Sequence, residues 1–234
     1  MSDSKAHLGQ FFTTANPFGH PAFARWAARA DIENGAVLEP FAGANHLPEH
    51  IAELGYTCAW TGYDIEPAAP EVGFRDTLAD FPRGFSACVT NPPYLARNVA
   101  SRKRLAYPAT DYDDVYKMAL DLCLRHCAHV AAIVPESLIA SGLFRTRLVA
   151  VVSLDRRMFE DTDHPTCLAL WHDEPTRRTE VFQARGRIGR LDEIEASVPR
   201  AGSTAQLFAF NDPGGVIGLH AIDNTRTDSI RFCA

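Results

Sequence analysis

From residue 21 to about residue 150, short apolar runs alternate with stretches of helical periodicity, and this alternation decides most of what the chain can fold into. Residues 21–31 (PAFARWAARAD) open with Pro21 and set Phe23, Trp26 and Ala30 at helical spacing. Ala36-Val37-Leu38 is a short strand stopped by Glu39-Pro40, and residues 46–54 (HLPEHIAEL) predict a helix closed by Gly55. Further strands are expected at 57–63, 85–90, Val130–Val134, Val149–Leu154 and Cys167–Trp171. Helices are expected at 113–128 and from Ser137 to Leu148, with Gly142 as a weak point, while 95–112 reads as a long loop. Strands that alternate with helices place crossover helices on both faces of a sheet. The expected fold class is therefore α/β, a doubly wound, mostly parallel sheet.

In open α/β sheets ligands bind at the carboxyl ends of the strands. The first such end is Glu39-Pro40-Phe41-Ala42-Gly43-Ala44-Asn45, an acid before a small-residue turn that lets backbone approach a ligand closely. The second is Tyr63-Asp64-Ile65, an acid suited to the two hydroxyls of a ribose. Asp76 follows as a candidate acceptor for an adenine amino group. The fourth, Asn91-Pro92-Pro93-Tyr94, is the most specific. Two prolines fix the backbone and remove two N–H donors, leaving carbonyl acceptors. With the Asn91 amide oxygen and the flat ring of Tyr94, they suit a planar substrate bearing an NH₂ group. Two acceptors can take both amino hydrogens and localise the nitrogen lone pair without a strong base.

The 234 residues carry 23 Lys+Arg against 29 Asp+Glu, a net charge of −6, and 46% hydrophobic residues. Such a chain is globular and long enough to bury a core. No apolar run is long enough to span a membrane, and Met1-Ser2-Asp3-Ser4-Lys5 does not start like a signal peptide, so a cytoplasmic protein is expected. Net acidity weighs against non-specific nucleic-acid binding. Two local exceptions are RNVASRKR at 97–104 and the arginine-rich 177–190. The six cysteines form no CxxC pair, and Cys123, His126, Cys127 and His129 read as helix-packing residues in a reducing compartment, so no metal is expected. After residue 174 the pattern degrades. Residues 1–174 are expected to form the catalytic domain and 175–234 a minimal or truncated appendage for target recognition.

With these residues in place, the chain resembles S-adenosylmethionine-dependent amino-methyltransferases over residues 8–172. Among them it is most similar to the N6-adenine DNA methyltransferases of cofactor-first motif order, the enzymes of restriction-modification systems. Gly9-Gln10-Phe11-Phe12-Thr13-Thr14 resembles the family's N-terminal cofactor motif. Glu39-Pro40-x-x-Gly43 resembles its first nucleoside-binding motif, with Asn45 where a second Gly is usual. Asp64 and Asp76 match the ribose and adenine acids, Asn91-Pro92-Pro93-Tyr94 matches the catalytic motif, and Val134-Pro135-Glu136-Ser137 resembles a later scaffold strand. Phe159 matches the position whose ring packs on the target base.

The resemblance implies a class I, Rossmann-like methyltransferase that uses S-adenosylmethionine. The cofactor would be held by Phe12, Thr13, Glu39, Pro40, Gly43, Asp64, Ile65, Asp76 and Asn91. The acceptor would be the exocyclic N6 of a flipped-out adenine in DNA, sandwiched by Tyr94 and Phe159 at the catalytic residues Asn91, Pro92, Pro93 and Tyr94. Arg97, Arg102, Lys103 and Arg104 would meet the DNA backbone, and the short appendage implies a partner subunit for target recognition. Relatives bearing the same catalytic motif methylate a protein glutamine amide or an RNA base amino group, so those acceptors are the alternative. A non-catalytic binding subunit of the same fold is a further one.

Overall fold

A computed structural model of the chain describes residues 16–154, 165–184, 186–198, 218–221 and 230–233. Helix α1 (Pro21–Ala30) begins where the His20 ring accepts from the Ala22 N–H and ends where Asp31 turns left-handed. Then come β1 (Ala36–Glu39), α2 (His46–Ala52), β2 (Ala59–Asp64), the two-residue β3 (Gly73–Phe74) and β4 (Ala87–Thr90). They are followed by α3 (Arg97–Lys103), α4 (Val115–His126), β5 (His129–Pro135), α5 (Ser137–Ser141), a 3-10 turn at Arg145–Arg147, β6 (Leu148–Ser153) and β7 (Thr166–Trp171). The first compact unit closes with β8 (Glu180–Gln183), β9 (Gly186–Arg190) and α6 (Leu191–Ser197). In the second unit, 198–234, β10 (Gly218–Ala221) pairs antiparallel with β11 (Ile230–Cys233).

Nine strands form one sheet in the order β3-β2-β1-β4-β5-β7-β6-β8-β9. Strands β1 to β5 are parallel, and β7 enters antiparallel between β5 and β6. The sheet is covered on both faces, so its central strands read as near-continuous apolar runs, with polar residues at their ends, rather than alternating. Period-two alternation decides which face each residue meets. Val37, Val89, Ala131 and Ile133 pack with Phe23 and Trp26 of α1. Leu38, Cys88, Val130 and Ala132 pack with Leu120 and Cys123 of α4. From β1 the chain steps outward to β2 and β3, then returns to the other side for β4 and β5. The strand order thus reverses between β1 and β4, which opens a crevice at their carboxyl ends.

Three local expectations differ from the structure. The stretch expected as a loop at 95–112 contains α3, which buries Ala100 and ends at a left-handed Arg104 (φ 55°). Its base is closed by an antiparallel bridge between Ala96 and Asp114, a non-local contact that periodicity does not reveal. The helix expected from Ser137 to Leu148 stops at Ser141, because Gly142 turns left-handed (φ 74°) and ends it. Past residue 174, β8 and β9 extend the main sheet, so the division between units falls after Ser197 rather than after 174.

Candidate active site

Four chain reversals at the carboxyl ends of β1, β2, β3 and β4 build the site. Glu39 ends β1 and is buried, with side-chain oxygen Oε2 lacking a hydrogen-bond partner among the described residues. Burial, and after it the neighbouring Asp64 carboxylate, push the Glu39 pKa well above the ordinary carboxyl range. After Pro40 the chain turns tightly. Ala42 N–H donates to Tyr63 O at 2.9 Å, and Asn45 N–H returns to Ala42 O at 2.7 Å. Gly43 and Asn45 both sit in the left-handed region, at φ 50° and 63°. Among residues with a side chain, Asn adopts that conformation most readily, so Asn45 makes the bend where the resembled motif has glycine. Thr77 fixes the turn from behind by donating its hydroxyl to Pro40 O at 2.7 Å.

Asp64 ends β2, also buried. Its carboxylate accepts from Gly43 N–H (2.8 Å) on one oxygen and from Glu66 N–H (2.8 Å) on the other. It therefore ties the β1 turn to the β2 turn, a function the sequence reading did not foresee. Ile65 beside it is 46% exposed, and its ladder neighbour Phe74, opposite Asp64, is 76% exposed. These are large apolar surfaces next to a polar turn. Asp76 caps its own turn, accepting from Leu78 N–H (3.1 Å) and Ala79 N–H (3.2 Å).

At the end of β4, Thr90 is fully buried with its hydroxyl unpartnered among the described residues. The Asn91-Pro92-Pro93-Tyr94 turn follows. The Tyr94 ring packs edge-on against Tyr116, centroids 5.8 Å apart at 87°. Its phenol oxygen points into the protein, 2.8 Å from Ile133 O and 3.0 Å from the Asn91 amide oxygen. Burial raises the Tyr94 pKa well above the usual phenol range and that of Tyr116 to about 12. Asp114, the N-cap of α4, accepts from Leu95 N–H at 3.0 Å and so anchors the residue after Tyr94. Its sequence signal was the capping position before the apolar periodicity of α4.

The expected phosphate-contacting residues divide. The Arg97 guanidinium donates to the carbonyls of Thr110 and Tyr112 and lies 4.8 Å over the Tyr107 ring, so it holds its own excursion together. Arg102, Lys103 and Arg104 are exposed at the carboxyl end of α3 and make no ion pair with a described residue. In the second basic segment, Arg187 pairs with Glu180 and Arg190 with Asp192 and Glu193. Phe12, Thr13 and Phe159 lie outside the described residues. Cys88, Cys123 and Cys127 are buried thiols, and His126 stacks on Phe81 at 5.3 Å. No group of three His, Cys, Asp or Glu among the described residues is placed to hold a metal ion.

No family profile matches the sequence, and no curated protein is significantly similar to it. Solved structures are similar in fold. The type IIG restriction endonuclease BpuSI has 15% identity over 74% of this chain and 27% of its own, with a TM-score of 0.51. A modification subunit assigned to a type I restriction enzyme of Vibrio vulnificus has 15% identity over 78% and 48%, with a TM-score of 0.50. A Listeria monocytogenes protein described as a class I S-adenosylmethionine-dependent methyltransferase has 10% identity over 70% and 64%, with a TM-score of 0.49. The chain spans less than two thirds of the length of each. It shares its fold, a mostly parallel α/β sheet, with the restriction endonuclease and the modification subunit.

Proposed function

We propose that the chain transfers the methyl group of S-adenosylmethionine to the exocyclic N6 of an adenine in DNA. The observation that carries this reading is the meeting of two strand ends at the sheet's reversal point. One holds a buried carboxylate with an unpartnered oxygen (Glu39), and the other holds the Asn91-Pro92-Pro93-Tyr94 turn. A buried unpaired carboxylate oxygen suits a cationic amino group, which is what the amino-acid end of the cofactor carries. Asp64 would accept from the ribose hydroxyls, Ile65 would pack on the adenine, and Asp76 would meet its amino group. Pro40, Gly43 and Asn91 would line the path between, with Phe12 and Thr13 covering it.

When bound, the cofactor supplies an electrophilic methyl on its sulfonium. The protein's contribution is position and polarisation. Asn91 and the Pro92 carbonyl accept the two hydrogens of the target amine and hold its lone pair in line with the methyl. The methyl would pass to that nitrogen as its bond to sulfur breaks, and the surplus amine proton would leave for solvent. Tyr94 and Phe159 hold the flipped base. Arg102, Lys103 and Arg104 follow the DNA backbone. The likeness to a modification subunit, of which this chain spans 48%, favours DNA as substrate and a partner subunit for target recognition.

The test is transfer of labelled methyl to unmethylated DNA, ribosomal RNA and a release-factor-like protein, followed by hydrolysis. Label recovered as N6-methyladenine from DNA is expected. Label in a glutamine amide or an RNA base would reassign the acceptor, and transfer to none of them would make the chain a binding subunit.

A further inference from the structure

We propose that the Tyr94 hydroxyl is a positioning group. It replaces a backbone hydrogen bond that Pro92 cannot make, and in doing so it fixes which way the Asn91 amide faces. The register shows why. Strands β4 and β5 pair in parallel from Ala87 opposite His129 to Thr90 opposite Ala132, and His129 N–H donates to Ser86 O at 2.9 Å. Bonds in a parallel ladder recur every second residue along each strand. The donors from the β4 side therefore fall on residues 88, 90 and 92, and the partner due at residue 92 is the carbonyl of Ile133. Pro92 has no N–H. Ile133 is fully buried, and a buried carbonyl without a donor is destabilising. The phenol oxygen of Tyr94 lies 2.8 Å from that carbonyl and closes the ladder two residues beyond the break.

A phenol has one proton. Ile133 O can only accept, so the proton goes there. The Asn91 amide atom 3.0 Å from the same phenol oxygen must then be a donor, because the oxygen has only lone pairs left to offer. Amide oxygen and nitrogen are exchanged by a half-turn of the side chain. Both contacts of the phenol are met when the Asn91 NH₂ donates to Tyr94, which turns the Asn91 carbonyl oxygen to the side where the proposed function places the acceptor amine. The reverse arrangement would set the Asn91 oxygen against the lone pairs of the phenol. The edge-on contact with Tyr116 holds the phenol in place. A tyrosine selected only for its flat face would be replaceable by phenylalanine.

The orienting role rests on the proposed function; the ladder repair does not, and the two are measured separately. Tyr94→Phe keeps the ring and its face. In methyl transfer it should lower kcat roughly 10- to 100-fold, the range of one buried hydrogen bond. KM for DNA and calorimetric affinity for S-adenosylmethionine should stay within about twofold, because only the oriented transition state is affected. Full kcat in Tyr94→Phe overturns the orienting role. Loss of cofactor binding by the wild-type chain would instead overturn the functional reading.

Thermal unfolding of a double-mutant cycle tests the ladder without any substrate. Pro92→Ala restores an N–H at residue 92. Tyr94→Phe should lower Tm by about 2–4 °C in the wild-type chain. It should lower Tm distinctly less in the Pro92→Ala background, where the restored N–H reaches Ile133. A Tyr94→Phe chain that folds only in that background is the same result in stronger form. Equal losses in both backgrounds, or failure to fold in both, overturn the proposal.

Discussion

The two ends of the sheet's central strands treat buried polar groups in opposite ways. At the amino end of β5, Arg147 donates to the carbonyls of Leu124 (2.7 Å), Cys127 (3.1 Å), Ala128 and His172, gathering the end of α4 and the exit from β7 around one guanidinium. Trp26 N–H donates to Trp171 O at 2.8 Å, and the Nδ1 atoms of His129 and His172 lie 2.9 Å apart, so one ring donates and the other accepts. Every one of these groups finds its partner inside the fold. At the carboxyl ends of β1 and β4, Glu39 Oε2 and the Thr90 hydroxyl are buried and find none among the described residues. Protein interiors rarely leave such groups unpaired, which fits the proposed binding of a cofactor at the second end.

Substitutions at the two ends should therefore separate activity from stability. The largest effect is expected for Asn91→Ala, about 10²–10³ in kcat, from loss of one preorganised acceptor. Tm should barely move, and a large Tm loss would show that Asn91 serves the fold rather than the reaction. Arg147→Ala should do the converse. Unfolding in denaturant should show a loss of about 2–3 kcal/mol as several carbonyls lose a common donor, with cofactor affinity of the folded fraction unchanged.

The histidine pair gives the stable end a pH signature. Burial first, then the neighbouring His129, lower the His172 pKa to about 4, and burial lowers that of His129. In the window between about 4 and the ordinary 6.5, the unfolded chain holds protons that the folded chain does not. Stability is then expected to be full above that window and to fall as pH drops through it. Denaturant midpoints from pH 7 to 4 measure this, and His172→Asn should flatten the slope. The smallest effect concerns Arg102 and Lys103. Neutralising both should reduce the salt slope of DNA binding by roughly 0.9 per contact, equally on all sequences. Arg97→Ala should act differently, by loosening the 97–112 excursion that its guanidinium ties together.

How far the sequence could be read follows from where the determinants sit. Strands β1, β4, β5 and β7 are buried on both faces and α1 and α4 on one, so local periodicity reveals them. Helix α3 escaped because it is seven residues long, buries one residue and is framed by a bridge between Ala96 and Asp114. Strands β8 and β9 escaped because charged pairs such as Arg187 with Glu180 stand where apolar alternation would be sought. At the site, the acids at strand ends were legible as acids. That Asp64 binds two backbone N–H groups, that Asp76 caps its own turn and that the Tyr94 hydroxyl faces inward depend on chain reversals that only the fold brings together.

Glu39 offers the most direct measurement. Burial and the Asp64 carboxylate raise the Glu39 pKa well above the ordinary carboxyl range, which favours its protonated form in the folded protein. Its contribution to stability is present at low pH and lost as pH rises through the raised value. A cationic amino group binding there needs the carboxylate, so the proposed binding is expected to release a proton. Calorimetric titration with S-adenosylmethionine across a pH series in buffers of different ionisation heat reads both affinity and proton release. The expected result is saturable binding whose affinity rises with pH, with proton release that disappears in Glu39→Gln. Absence of binding, or an unchanged pH dependence in Glu39→Gln, would contradict the assignment of this strand end to the cofactor.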